Sequence, residues 1–400
     1  MERTKIDILI SGGGIAGLTA AAAFGTAGFS VICVDPTAPV TERNTDGSDL
    51  RSTALLQPAR DFLETAGIWA KLNPHASPLQ TMRIVDAGGE VAEPRLTRDF
   101  DASDISDRPF GWNLPNWLLR REMLARLDEL PNVTFRPGVG TKTLLTRQSE
   151  ALVSLRDDTQ VSARLVIGAD GRNSPVRRAH GIGARTTRYG QKALAFAVNH
   201  PIPHEGVSTE VHRTGGPFTL VPLPDYNGMP SSAVVWMERG ARAKELYEMP
   251  EDAFNDAMSE RSCHLYGPLT LASRRTIWPI ISQISDRFYA ERTALIAEAA
   301  HVVPPIGAQG LNMSIGDMAA LLELSLKDPS KLGEPEMLGQ YERKRMTEVK
   351  ARVTGVDALN RASMMAARPL RDARAAGVAT LYSLAPVRKT LMQLGLGARG

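Results

Sequence analysis

The chain has 400 residues, 43% of them hydrophobic and 23% charged, with a net charge of +3. Its length predicts more than one domain. So small a charge, with no basic run interleaved with aromatics, argues against a nucleic-acid partner. The two cysteines, Cys33 and Cys263, offer neither a disulfide framework nor metal-ligand spacing, so no metal is expected and a reducing cytoplasm fits. Met1–Lys5 leads only into Ile8-Leu9-Ile10, too short an apolar run for a secretory signal. Nor is there a run of about eighteen apolar residues to span a membrane.

Lys5–Ser11 predicts a buried strand, and Gly12-Gly13-Gly14-Ile15-Ala16-Gly17 follows it. An alanine-rich helix over Leu18–Ala27, closed by Gly28, leads to a second strand, Ser30–Val34, ending at Asp35. Strand, glycine turn, helix, strand and acid make up the dinucleotide-binding fingerprint with its context. Gly12 makes the tight turn, Gly14 lets backbone approach a pyrophosphate, and Gly17 lets the helix pack on the strand. Asp35 sits where a carboxylate accepts from a ribose hydroxyl. Gly395–Gly400 repeats the glycine spacing, but the sequence ends there with no helix to follow.

Arg51-Ser52-Thr53-Ala54-Leu55 is expected to open a helix running to Ala66, with the Arg51 cation as a mild sign of an anionic partner. Leu79–Val85 is a predicted strand, and Thr97–Pro109 an acidic surface loop. A helix over Leu118–Leu130 carries Arg120 and Arg121, one of which can face a phosphate. Val133–Phe135, Thr141–Thr146, Ala151–Leu155 and Val161–Ile167 are expected as a small meander. It delivers Ala169-Asp170-Gly171, with Arg172 and Arg177 close by, at the mouth of a sheet. From Tyr189 to Ile284 the pattern changes to strands with partial alternation (Ala193–Asn199, Ser208–Arg213, Phe218–Pro222, Ser232–Glu238) and two short helices. This block lacks a phosphate fingerprint and is the expected substrate domain. Its polar candidates are His200, His212, Tyr226 and Trp236, each more simply explained as structural.

Ala294–Ala297 is an apolar run ending at Glu298, followed by a turn with Pro304, Pro305 and Gly307 and then by Gly310-Leu311-Asn312. From Leu311, apolar residues at 311, 315, 318, 321 and 322 share a helix face. An acid at a strand end, a stiff loop and a helix N-terminus suit a polar cofactor that needs an acceptor on one side and backbone donors on the other. The last forty residues hold seven Lys or Arg and one acid, mixed with Leu and Met. Such a tail fits a basic amphipathic helix lying on an anionic membrane surface or docking a partner.

The fingerprint, Ala169-Asp170-Gly171 and Val302–Asn312 (VVPPIGAQGLN), in that order, resemble the single-component FAD-dependent aromatic hydroxylases related to p-hydroxybenzoate hydroxylase. Within them the chain is most similar to the ubiquinone-biosynthesis hydroxylases, over nearly its whole length, including the tail Leu384–Lys389. The resemblance implies FAD, with Gly12, Gly14 and Gly17 at the pyrophosphate, Asp35 on the adenosine ribose, and Ile15, Ala16 and Val139 also among the cofactor-binding residues. Arg51 and Arg120 (or its neighbour Arg121) would hold phosphates and sugar, and Glu298 the ribityl–pyrophosphate region. Gly310, Leu311 and Asn312 would donate backbone N–H groups to the isoalloxazine, with Pro305 beside the reacting flavin carbon and no acid or base assigned. Asp170 belongs to the motif tied to flavin and reduced nicotinamide.

The activity implied is hydroxylation of a prenylated phenol by O2 through a flavin hydroperoxide, with NAD(P)H or another reductant visiting transiently. Alternatives of the same fold are another aromatic hydroxylase, a prenyl reductase or a non-catalytic scaffold of a biosynthetic complex; the halogenase Trp-x-Trp-x-Ile-Pro signature is absent. One departure stands out. The family usually reads Gly-Asp-Ala-Ala-His where this chain has Ala297-Glu298-Ala299-Ala300-His301, so a crowding methyl and a longer acid are expected to weaken FAD retention.

The fold expected is α/β: a Rossmann-like FAD-binding domain over 1–74, 116–184 and 286–350, an inserted mixed-sheet substrate domain over 75–115 and 185–285, and a C-terminal helical region over 351–400. The protein is expected in the cytoplasm, with peripheral contact to the inner face of the membrane or to a biosynthetic complex through its tail.

Overall fold

The computed structural model describes residues 3–89, 91–364, 372 and 382–396. Among these, strands form an eight-stranded, a nine-stranded and a three-stranded sheet. In the first, Thr293–Leu295, Gln160–Gly168, Thr4–Ser11, Val31–Asp35 and Val133–Pro137 lie side by side and parallel. Ile8, Leu9, Ile10, Cys33, Val34 and Val166 are all buried without alternation, as in a parallel sheet covered on both faces. Helix Ile15–Thr26 begins three residues before its expected start and is buried from Gly17 to Gly25, its alanines allowing close packing.

The nine-stranded sheet is mostly antiparallel and has two different faces. Leu194, Phe196, Val211, Phe218, Val234 and Trp236 pack with Leu246 and Phe254 from helices Gly240–Glu248 and Glu251–Arg261. The alternate positions Ser208, Glu210, Thr219, Val221, Ala233 and Val235 line a cavity, as the two-residue period of a strand requires. Helix Pro335–Ser363, of 29 residues, touches both sheets. Tyr341 donates to the Leu295 carbonyl (2.8 Å), Tyr189 to Asp357 (2.5 Å) and Asn360 to Gln191 (3.0 Å).

Three local expectations give way to tertiary pairing. Ser52–Leu56 is a strand, not the start of a helix: it pairs antiparallel with Gly111–Pro115, and the helix begins at Gln57, with Pro58 in its first turn. Within the expected loop 97–109, Leu96–Asp101 is a strand on Thr81–Asp86, tied by Arg83 to Asp99 at 2.7 Å. Val133–Pro137 stands apart from the meander and extends the parallel sheet beside Val31–Asp35.

The expected amphipathic tail lies partly outside the described residues. Its described part includes helix Ala385–Leu396, with Met392 buried, Arg388 on Asp104 at 3.2 Å and Tyr382 edge-on to Phe100. No helix among the described residues is long and apolar enough to cross a membrane.

After Thr293–Leu295 the chain leaves the first sheet, makes a short turn over Ala297–Ala299, and joins the second sheet at His301–Val302. One buried carboxylate holds this crossing. Asp317, on helix Gln309–Lys327, accepts from the Ala297 N–H (3.1 Å) and from Arg345 Nε (2.9 Å), and pairs with His301 Nε2 (2.7 Å). Burial opposes the Asp317 charge, but His301 and Arg345 outweigh it and hold the carboxyl below its usual range. The stability it contributes is therefore present above the ordinary carboxylate range and is lost as pH falls through the lowered value. Asp317→Ala strands Arg345 without its buried partner and is expected to cost about 3–5 kcal/mol, measured by urea unfolding at neutral pH.

Candidate active site

A cavity of about 800 Å³ runs between the two large sheets. Its lining brings together Gly12, Gly14, Ile15, Ala16 and Asp35 with Arg51, Arg120, Asp170 and Glu298, and with Pro305, Gly310 and Leu311. Residues expected from separate parts of the sequence thus share one wall. The other three are placed differently. Gly17 packs on the turn, where an added Cβ would lie 1.8 Å from the Gly12 carbonyl oxygen. Val139 packs against the core of the first sheet. The Asn312 side chain accepts from the Leu56 N–H (2.9 Å) and donates to the carbonyls of Ala54 (2.8 Å) and Ala308 (2.6 Å), fastening the strand to the helix start.

The glycine turn is shaped for a close-fitting anion. Gly12 has φ of +112°, and a Cβ there would come within 2.3 Å of the Ala169 carbonyl oxygen. A Cβ on Gly14, by contrast, meets nothing within 4 Å. Helix Ile15–Thr26 has no side-chain cap and no acid in its first turn, so its leading N–H groups and positive dipole end remain available. Asp35 accepts from the Gly13 N–H and the Thr37 N–H, each at 2.7 Å, which orients the carboxylate at the cavity wall.

Asp49 was not identified from the sequence, though it lies two residues before Arg51. It receives Arg51 through two hydrogen bonds (2.8 and 2.7 Å), Asn116 (3.0 Å) and Arg120 (3.3 Å). Burial works to raise its pKa, and the Arg51, Asn116 and Arg120 contacts more than reverse this. Two cations thus share one anion, which leaves the group with one excess positive charge toward the cavity. Asp170 is different: burial pushes it up despite donation from the Val176 N–H (3.0 Å), and its Oδ1 is buried with no partner among the described residues. Arg177 is structural, donating to the carbonyls of Ala299 and Arg172 at 2.8 Å each. Glu298 pairs with Arg172 at 3.4 Å.

The second glycine-rich wall is Pro304–Leu311. Ile306 N–H donates to the Pro304 carbonyl (2.8 Å), and Gly307 and Ala308 follow at φ of +62° and +55°. Helix Gln309–Lys327 then starts with no side-chain cap and no acid in its first turn, presenting Gly310 and Leu311 to the cavity. The open space beside Gly14, the orphaned Asp170 oxygen and these two uncapped helix starts fit the phosphates and polar ring edge of a flavin dinucleotide. Ala297 lines the cavity and has a left-handed backbone, with φ of +55°. The four polar candidates of the substrate domain divide. His200, bonded to Ile202 and Ser232, and Trp236 lie in the sheet's packed side, Tyr226 lies under Arg43, and His212 pairs with Glu210 on the cavity wall.

A site of this form, on this fold, defines a flavin-dependent oxidoreductase. The chain belongs to the FAD binding domain family, whose profile matches residues 5–356, and it is an FAD-dependent monooxygenase. It is 31% identical to ubiquinone hydroxylase UbiL of Rhodospirillum rubrum, over 98% of this chain and 89% of the relative. It is 23% identical to 3-demethoxyubiquinol 3-hydroxylase of Escherichia coli, over 99% and 100%. Among solved structures, P. aeruginosa PqsL in complex with 2-aminobenzoylacetate matches with a TM-score of 0.77 at 25% identity, covering 94% of this chain and all of that one.

Gly14→Leu is expected to give a folded protein without flavin, because the side chain enters the cavity rather than the core. Gly17→Leu is expected to give none, because its Cβ collides with backbone; circular dichroism and visible absorbance separate the two outcomes. Ala297→Gly and Ala308→Gly are each expected to raise the unfolding free energy by up to about 1 kcal/mol, as left-handed strain is relieved.

Proposed function

We propose that this protein hydroxylates the aromatic ring of a prenylated phenol in ubiquinone biosynthesis, taking electrons from NAD(P)H and one oxygen atom from O2. The observation that carries this reading is the continuity of the cavity. It runs without a break from the fingerprint turn, past Pro304–Leu311, to the apolar face made by Met82, Val221, Ala233 and Val235. Such a space holds a dinucleotide at one end and an apolar ring with its tail at the other. Relatives named for ubiquinone hydroxylation over almost their full lengths support the substrate class.

Reduced FAD supplies the activation of oxygen for transfer to an electron-rich ring carbon. The chain's own residues bind, orient and exclude water. Beside the tight turn at Gly12, whose own N–H is bonded to the Val34 carbonyl, Gly14, Ile15 and Ala16 offer backbone N–H groups to the pyrophosphate, while Asp35 accepts from the ribose. The group of Arg51, Arg120 and Asp49 sets the positive charge, and Glu298 meets the ribityl region. Gly310 and Leu311, at a helix start, bring N–H groups and a positive dipole end to where negative charge collects on the reduced ring, worth roughly 0.3–2 kcal/mol. Pro305 gives a stiff apolar face there, and Asp170 lies where flavin and a visiting nicotinamide would meet.

In this reading residues 1–74, 116–184 and 286–350 make the FAD-binding domain, and 75–115 and 185–285 the substrate domain. Residues 351–400 make the C-terminal helical region, and the basic tail within it, over 361–400, brings the protein to the inner membrane face or to a biosynthetic complex.

Turnover of a short-tailed prenylphenol with NAD(P)H under ¹⁸O2 is expected to place one labelled oxygen on the ring, read by mass spectrometry. Reductant consumption with no label in the product would mark a reductase instead. Deleting residues 382–400 is expected to lower co-sedimentation with anionic liposomes while bound FAD stays constant.

A further inference from the structure

The substrate face of the cavity mixes apolar Met82, Val221, Ala233 and Val235 with neutral Asn113, Ser208 and Thr219, and Glu210 is the carboxylate among them. Strand Val207–His212 turns Ser208, Glu210 and His212 to the same side, and Glu210, only 6% exposed, reaches the cavity wall. Its neighbours across the sheet are Thr219 and Ile84, so no cation faces it from the adjoining positions. Among the described residues the Glu210 carboxylate has one polar partner, His212 Nε2, at 2.7 Å from Oε1. His212 Nδ1 is itself buried with no partner among the described residues.

A structural purpose does not account for this pair. The two residues lie two positions apart on one strand, so their contact joins no separate elements. Other charges on these strands are matched: Asp86 by Arg95 at 2.7 Å, Arg83 by Asp99 at 2.7 Å, Arg213 by Glu260 at 3.1 Å. A buried carboxylate with a single histidine contact at a cavity wall is costly to keep unless a ligand donor completes it.

We propose that Glu210, oriented by His212, is the acceptor for the hydroxyl of the substrate ring and takes its proton. The proposal rests on the aromatic-hydroxylase reading above. The His212 N–H engages one carboxylate oxygen, and the phenol O–H engages the other. As the O–H bond breaks, its electron pair stays on the phenol oxygen and the proton passes to Glu210. The resulting phenolate is richer in electrons at the ring carbons ortho and para to that oxygen, where an electrophilic oxygen is received. The proton returns to the phenolate oxygen of the product as it leaves. The site therefore selects a free ring hydroxyl over its alkyl ether, and the remaining wall accepts apolar bulk.

The test uses the FAD-loaded protein, a short-tailed prenylphenol and the methyl ether of the same phenol, with binding measured by titration calorimetry in the absence of reductant. Wild type is expected to prefer the phenol by about tenfold to a hundredfold, the range carried by a hydrogen bond to a charged group. Glu210→Gln and Glu210→Ala are expected to erase that preference while retaining bound FAD and affinity for the ether, and His212→Gln to reduce it. Single-turnover hydroxylation of the phenol should fall with the preference. A preference kept in both Glu210 variants would overturn the assignment while leaving the hydroxylase reading intact. A wild-type protein that binds neither compound would overturn the substrate reading and this assignment with it.

Discussion

The site depends on a carboxylate that does not reach it. Asp317 binds the Ala297 amide, His301 and Arg345 at once, so the crossing between sheets, the helix that starts at Gln309 and the long C-terminal helix share one buried centre. A charge so deep is tolerated only when its partners are complete. That completeness fixes the path from Leu295 to Gln309, and with it the placement of Pro305, Gly310 and Leu311. It also offsets the left-handed backbone at Ala297, since the strained residue's own N–H is one of the bonds to Asp317.

Charge along the cavity is arranged by sharing rather than by simple pairing. Arg51 and Arg120 converge on Asp49, so their side chains are held in place before any phosphate arrives. The cost of ordering two long side chains is met within the fold and does not fall on ligand binding. Asp170 is the complement, a buried acid with an unfilled oxygen at the same wall. The anionic and donor-bearing parts of one dinucleotide would meet a cation pair in one region and an acceptor in another.

Much of this was legible in the sequence, for reasons that differ by residue. Gly12 through Asp35 could be read because backbone collisions leave few other residues possible at those positions, and the order of strand, turn and helix is local. The Pro304–Leu311 wall was legible because proline and glycine mark a stiff turn before a periodic helix. Ser52–Leu56 has a helical local signal, and its strand character comes from a partner, Gly111–Pro115, more than fifty residues away. The Asn312 side-chain amide joins Ala54, Leu56 and Ala308, contacts that no spacing reveals. Asp49, Asp317 and Glu210 carry no motif. Each takes its meaning from groups brought to it by tertiary structure.

Helix Pro335–Ser363 has a mechanical consequence. At 1.5 Å per residue its 29 residues extend about 43 Å. Near its start Tyr341 is bonded to the Leu295 carbonyl, and near its end Asp357 and Asn360 are bonded to Tyr189 and Gln191 of the second sheet. It works as a strut riveted to both halves. Hinge opening between them would have to break buried hydrogen bonds at one end or the other. A motion that separates the two floors of the cavity works against these bonds, whereas yielding of the cavity's rim leaves them intact.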